Sequence, residues 1–153
     1  MKRLFWKILA FTGFYPHINF TFNPFKILEF EALMRDLEWS GRERVLDIGC
    51  GKGLQTHLIG MRCGRITGID IGADALHRAR RVAMHLPRRR VDHITGSLES
   101  IGFPDSSFDR IFSICVLEHI ANYEEVLREC LRILMPGGDI VFSVDTLENI
   151  EDM

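Results

Sequence analysis

The chain has 153 residues, 46% of them apolar and 26% charged, with a net charge of −2. That balance describes a soluble globular chain with enough residues for a real core, and it gives no reason to expect a nucleic-acid partner. The four cysteines (Cys50, Cys63, Cys115 and Cys130) contain no C-x-x-C pair, which reads as reduced thiols in a cytoplasmic protein. The longest early apolar stretch is interrupted by Lys7 and has no A-x-A site, which argues against a secretory signal, and no segment has the length to span a bilayer.

Residues 1–41 form an aromatic-rich head. Nine of the fifteen Phe, Tyr and Trp residues lie within residues 1–30: Phe5, Trp6, Phe11, Phe14, Tyr15, Phe20, Phe22, Phe25 and Phe30. Such density needs burial, so the head reads as a helical lid or substrate segment packed over the remainder of the chain. A sharper alternative uses Arg3 and Lys7 opposite Leu4, Phe5, Ile8 and Leu9: residues 1–12 would then lie on a membrane surface and deliver a lipid-like substrate.

From residue 42 to 153 strands and helices alternate. Strands are predicted at Arg44–Ile48, Arg65–Asp70, Val91–Thr95, 108–115 and 139–144. Helices are predicted at 54–61, at 73–86 before Pro87, and at 123–134 before Pro136 and Gly137. In the last, Tyr123, Val126, Leu127, Cys130, Leu131 and Leu134 recur at helical spacing, and Asn122 with Glu125 resembles a side-chain N-cap. This alternation implies right-handed crossovers and a parallel sheet with helices on both faces. Arg78, Arg80, Arg81, Arg88, Arg89 and Arg90 read as a solvated helix end whose cations suit the negative end of the dipole.

Residues 44–53, R-V-L-D-I-G-C-G-K-G, combine a short apolar strand with three glycines, which lets the backbone turn sharply with no side chain between it and a ligand. Asp70 follows Asp47 by 23 residues at the tip of the next strand, where an acid suits a ribose diol. The spacing excludes two common nucleotide loops. A dinucleotide fingerprint needs glycine three residues after Gly51, where Leu54 stands; a Walker loop needs Ser or Thr after Lys52, where Gly53 stands.

What remains, D-x-G-x-G-x-G, resembles the first motif of the class I S-adenosylmethionine-dependent methyltransferases, in the style of the type 11 domain. Residues 95–109 (T-G-S-L-E-S-I-G-F-P-D-S-S-F-D) and 131–144 (L-R-I-L-M-P-G-G-D-I-V-F-S-V) match later parts of the same family in order, so the likeness covers about residues 42 to 145. It implies an α/β, Rossmann-like doubly wound sheet of five mainly parallel strands. Family members usually carry seven, the last two forming a hairpin beside the fifth. The chain is therefore expected to be truncated after the fifth strand, with an open edge that invites pairing with a second copy.

The resemblance also implies a function: in-line methyl transfer from S-adenosylmethionine to a small-molecule or lipid-like acceptor, releasing S-adenosylhomocysteine, without a metal. A domain that binds the cofactor without catalysis is the alternative. Gly49, Cys50, Gly51 and Gly53 would approach the methionine portion, and Asp47 would order the loop and face the cationic ligand. Asp70 would bind the ribose, Ile71 and Leu98 would sandwich the adenine, and Ile114 and Cys115 would meet the amino-acid end through their backbone. Ser97 would sit on the adenine edge, where family members commonly carry an acid. His119 is the candidate base, since imidazole accepts a proton near neutral pH; Glu118 and Asp145 are weaker candidates.

Overall fold

The structure, a computed structural model, describes residues 24–83 and 91–144. The chain divides into two compact units, 1–37 and 38–153. In the first, the described part is helix α1 (Pro24–Arg35), with Met34 buried and Leu28 exposed. Pro24 suits a first helical position, where no backbone N–H is needed. The lid and membrane readings of residues 1–23 lie outside the described residues.

The second unit runs β1 (Arg44–Ile48), α2 (Leu54–Gly60), β2 (Arg65–Asp70), α3 (Ala73–Ala83), β3 (Val91–Thr95), α4 (Leu98–Ile101), β4 (Phe108–Ile114), a 3₁₀ turn (Leu117–His119), α5 (Tyr123–Ile133) and β5 (Leu134–Ser143). The strands form one sheet in the order β3-β2-β1-β4-β5 with every pair parallel. The order reverses between β1 and β4, and in open α/β sheets a ligand crevice lies at the carboxyl ends of the strands there.

Alternation along the strands sorts the two faces. Leu46, Ile48, Ile69 and Ile111 form one buried cluster with Leu98, Val126, Cys130 and Ile133, so α4 and α5 cover that face. On the other face glycines let α2 and the turn before it approach: a Cβ on Gly68 would stand 2.9 Å from Cys50 Sγ and 3.1 Å from Thr56, and one on Gly60 3.1 Å from Ile66. Burying each such Leu or Ile contributes about 1.5–3 kcal/mol. The Arg110 guanidinium lies 4.6 Å from the Trp39 ring centre and pairs with Asp139 at 2.9 Å, tying β4 to β5.

Two strand boundaries and one helix cap differ from the sequence expectation. β4 ends at Ile114 because Cys115 takes a left-handed backbone, φ 54°, although its N–H still donates to the Ser143 carbonyl at 2.9 Å. β5 starts at Leu134, which already pairs with Phe108; the Pro-Gly-Gly expected to separate helix from strand is instead an irregularity inside the strand. Gly138 there passes so close to the Asp109 carbonyl that a Cβ would stand 2.5 Å from it. At α5, the Asn122 side chain makes no cap bond; its carbonyl accepts the Glu125 N–H at 3.0 Å.

Candidate functional site

The carboxyl ends of the strands bring most of the sequence-predicted residues to one edge. After β1 the chain turns through Gly49, Gly51 and Gly53, with φ values of 70°, 51° and 77° that L side chains rarely adopt. The amides of Gly49 and Cys50 both donate to the Ile69 carbonyl, at 2.9 and 3.0 Å, and the Gly53 N–H donates to the Cys50 carbonyl at 2.8 Å.

The three glycines answer different demands. A Cβ at Gly49 would overlap the Val116 methyls, and one at Gly53 would stand 2.7 Å from the Ala79 Cβ and 2.9 Å from His93 Nε2. At Gly51 a Cβ would meet nothing nearer than the Gly49 carbonyl at 4.0 Å. The protein's own packing needs glycine at 49 and 53, whereas the missing side chain at 51 leaves an open face.

Asp70 closes the turn from the tip of β2. Its Oδ2 accepts the Gly51 N–H at 2.8 Å and its Oδ1 the Gly72 N–H at 2.7 Å. A carboxylate accepts about four hydrogen bonds, so capacity for a ligand diol is left. The Asp70 carbonyl accepts the Gly96 N–H at 3.0 Å, which brings Ser97 to the same edge. Ser97 stands at the N-cap position of α4 without a side-chain cap bond. Ile71 is 79% exposed, while Leu98 is buried in the core at 2%. Of these two expected adenine walls, only Ile71 offers its side chain to the edge; Leu98, the first residue of α4, turns inward onto the apolar cluster.

Asp47 lies beneath the turn, 1% exposed, where its Oδ2 accepts the Thr56 hydroxyl at 2.6 Å. Burial pushes its pKa up to about 7; Thr56 opposes the shift and the negative charge of Asp70 adds to it. Cys50 contributes backbone to the turn, because its side chain packs with Leu76 and Ala79. Burial and the neighbouring acids Asp47 and Asp70 push that thiol up to about 12, so it stays protonated.

Across the edge, buried Ile114 ends β4, and Cys115 carries its Sγ 3.4 Å from the Ser143 hydroxyl at the end of β5. The 3₁₀ turn that follows is closed by the His119 N–H donating to the Val116 carbonyl at 2.9 Å, and the His119 side chain is exposed beside it. Asp145 lies outside the described residues. Among the described residues, no group of three His, Cys, Asp or Glu is placed to hold a metal ion.

Sequence reasoning missed four residues: Thr56, Val116, the buried His57 and the half-buried His93. The histidine rings lie 5.5 Å apart beneath Gly53, and neither Nε2 has a partner among the described residues. Burial lowers both pKa values, that of His93 to about 4. The only sequence signal for Thr56 and His57 was their place in the first turn of the helix after the glycines.

A family profile described as a methyltransferase domain matches residues 46–142. The chain is 32% identical over 102 residues to a ubiquinone biosynthesis O-methyltransferase of Idiomarina loihiensis, covering 66% of this chain and 42% of that one. It is 36% identical over 101 residues to a demethylmenaquinone methyltransferase of Tropheryma whipplei, covering 65% and 40%. Among solved structures it superposes on the YcgJ protein of Bacillus subtilis with a TM-score of 0.72 at 26% identity, covering 76% and 50%, and on an S-adenosylmethionine-dependent methyltransferase of Mesorhizobium loti with a TM-score of 0.67 at 28% identity, covering 76% and 54%. The chain thus spans about half the length, or less, of these relatives. By the match over residues 46–142, it belongs to the methyltransferase domain family.

Proposed function

We propose that this chain binds S-adenosylmethionine at the glycine turn and serves methyl transfer to a small-molecule or lipid-like acceptor. The observation that carries the reading is Gly51: a left-handed residue with open space where its side chain would be, its N–H held by the acid at the tip of the next strand. That arrangement fits a nucleoside-type ligand whose methionine portion approaches backbone. When bound, the cofactor supplies a methyl group on cationic sulfur, with a neutral thioether as leaving group.

The residues then divide the work of orientation, which is most of what such a displacement asks of a protein. Gly49, Gly51 and Gly53 form the seat, and Asp70 holds the ribose hydroxyls with its remaining lone pairs. Ile71 lies along the adenine, with the Ser97 hydroxyl at its edge. Asp47, ionised next to a cation, fixes the turn from below through Thr56. Backbone at Ile114 and Cys115 receives the amino-acid end, and His119 takes a proton from an acceptor hydroxyl or amine. The relatives named for ubiquinone biosynthesis and for demethylmenaquinone support an acceptor of the quinone class. β5 pairs on one side only among the described residues, and self-association through its open edge belongs to the same proposal.

The test is calorimetric titration with S-adenosylmethionine and S-adenosylhomocysteine, followed by a turnover assay on phenolic and quinol acceptors. Saturable binding of both is expected. Absence of binding by either would overturn the reading; binding without turnover on any acceptor would favour the non-catalytic alternative.

A further inference from the structure

We infer that Val116 is a positioning residue that braces the cofactor turn from the acceptor side of the cleft, and that the left-handed backbone of Cys115 exists to aim it. The inference rests on the reading of the turn as a cofactor seat.

The contact is specific. Both Val116 methyls lie where a Gly49 side chain would be, with Cγ1 2.7 Å from that Cβ position. Gly49 is the first residue of the turn; its N–H is held by the Ile69 carbonyl, and Val116 supplies the three atoms nearest to its Cβ position. Val116 also joins the two sides of the edge: its side chain meets the turn, and its carbonyl accepts the His119 N–H that closes the 3₁₀ turn.

An extended strand continuing through 115 would send the next side chain elsewhere. Instead Cys115 sits at φ 54°, a region that non-glycine residues occupy at a cost and mainly where the surroundings impose it. Those surroundings are present. Its N–H remains bound to the Ser143 carbonyl at 2.9 Å, and its Sγ lies 3.4 Å from the Ser143 hydroxyl, so β5 holds the bend in place. Support therefore passes from Ser143 through Cys115 and Val116 to Gly49. Val116 itself is half-buried.

The experiment compares Val116→Ala, Val116→Thr and Cys115→Val with the wild-type chain by site-resolved amide hydrogen exchange and by titration with S-adenosylhomocysteine. Val116→Ala is expected to speed exchange at the Gly51 and Gly53 amides about tenfold while the Leu46 and Cys130 amides keep their protection, and to weaken binding by a similar factor. Threonine has the shape of valine and should restore both. Cys115→Val, whose branched side chain resists the left-handed bend, should behave like Val116→Ala.

Unchanged exchange at the turn in Val116→Ala would overturn the inference. Uniformly faster exchange across β1 and α5 would do the same by making Val116 an ordinary packing residue. If the wild-type chain fails to bind S-adenosylhomocysteine, the proposed function falls, while the exchange measurements still decide the role of Val116.

Discussion

The two halves of the sheet's carboxyl edge are built differently. At the tips of β1 and β2 the chain is held by backbone: paired amides on the Ile69 carbonyl, and the Asp70 carboxylate shared between Gly51 and Gly72. At the tips of β4 and β5 one backbone bond, from the Cys115 N–H to the Ser143 carbonyl, is joined by side-chain shape and a strained residue, Val116 against Gly49 and Cys115 against Ser143. Burial follows position in the sheet instead: four of the five β1 residues and five of the seven β4 residues are buried, whereas no residue of the edge strands β3 and β5 is. The first half suits a ligand common to a whole family, because amides and glycines recognise a fixed shape. Under the proposed function the second half faces the acceptor.

The largest expected effect comes from breaking the first half where it serves the fold. Gly53→Ala would force a Cβ against Ala79 and the His93 ring at a left-handed φ, and we expect a loss of about 2–5 kcal/mol in urea-determined stability. Gly51→Ala has the φ penalty without the clash. It should cost only about 1–2 kcal/mol in stability yet remove most cofactor affinity. If Gly51→Ala binds as well as wild type, the open face at residue 51 is not where the ligand rests.

Next in size is Asp70→Asn. The amide keeps one acceptor oxygen for two backbone donors and loses the charge, and a hydrogen bond to a charged group is worth about 1.5–3 kcal/mol, so S-adenosylhomocysteine affinity should fall roughly 10- to 100-fold by calorimetry. An equal loss of affinity in Ser97→Ala would contradict the view that the β2 tip dominates, because serine offers an uncharged acceptor at the edge.

This division also explains what was legible in the sequence. Glycines forced by left-handed φ, and an acid at a strand tip, leave a spacing signature, so Gly49, Gly51, Gly53 and Asp70 could be read in one dimension. The parallel sheet was legible for the same reason, since short apolar strands alternate with helices. Val116 left no signature, because a valine in an apolar run looks like any other until the bend at Cys115 aims it. Thr56 became a partner of Asp47 only when α2 packed on the sheet. Leu98 looked available beside Ser97, but the helix phase of α4 turned it into the core. The start of β5 was misplaced because Pro-Gly-Gly signals a turn locally, while pairing of Leu134 with Phe108 extends the strand across it.

The smallest expected signal is the pH dependence of wild-type stability below neutrality, because two opposing contributions meet under the same turn. Asp47 has its folded pKa raised from 3.8 to about 7. Between those values the folded state holds a proton that the unfolded state has released, so this group makes stability fall as pH rises from about 4 to 7, by up to about 1.4 kcal/mol per pH unit. His57 and His93 act in the opposite sense. Their folded pKa values lie below the usual 6.5, that of His93 near 4, so the unfolded state binds the extra protons and stability rises with pH over about 4 to 6.5. The wild-type profile should therefore be shallow. Asp47→Asn, which keeps an acceptor for the Thr56 hydroxyl, removes the first contribution and should expose a stability that climbs from pH 4.5 to 6.5, a choice of range set by those shifts. Replacing His93 with Gln in that background should flatten the climb. Urea titrations at each pH, scored as the difference between variants, make the measurement. A profile for Asp47→Asn that parallels wild type would mean that Asp47 is ionised beneath the turn even without a ligand, with Thr56 and the turn amides stabilising the charge that burial alone would remove.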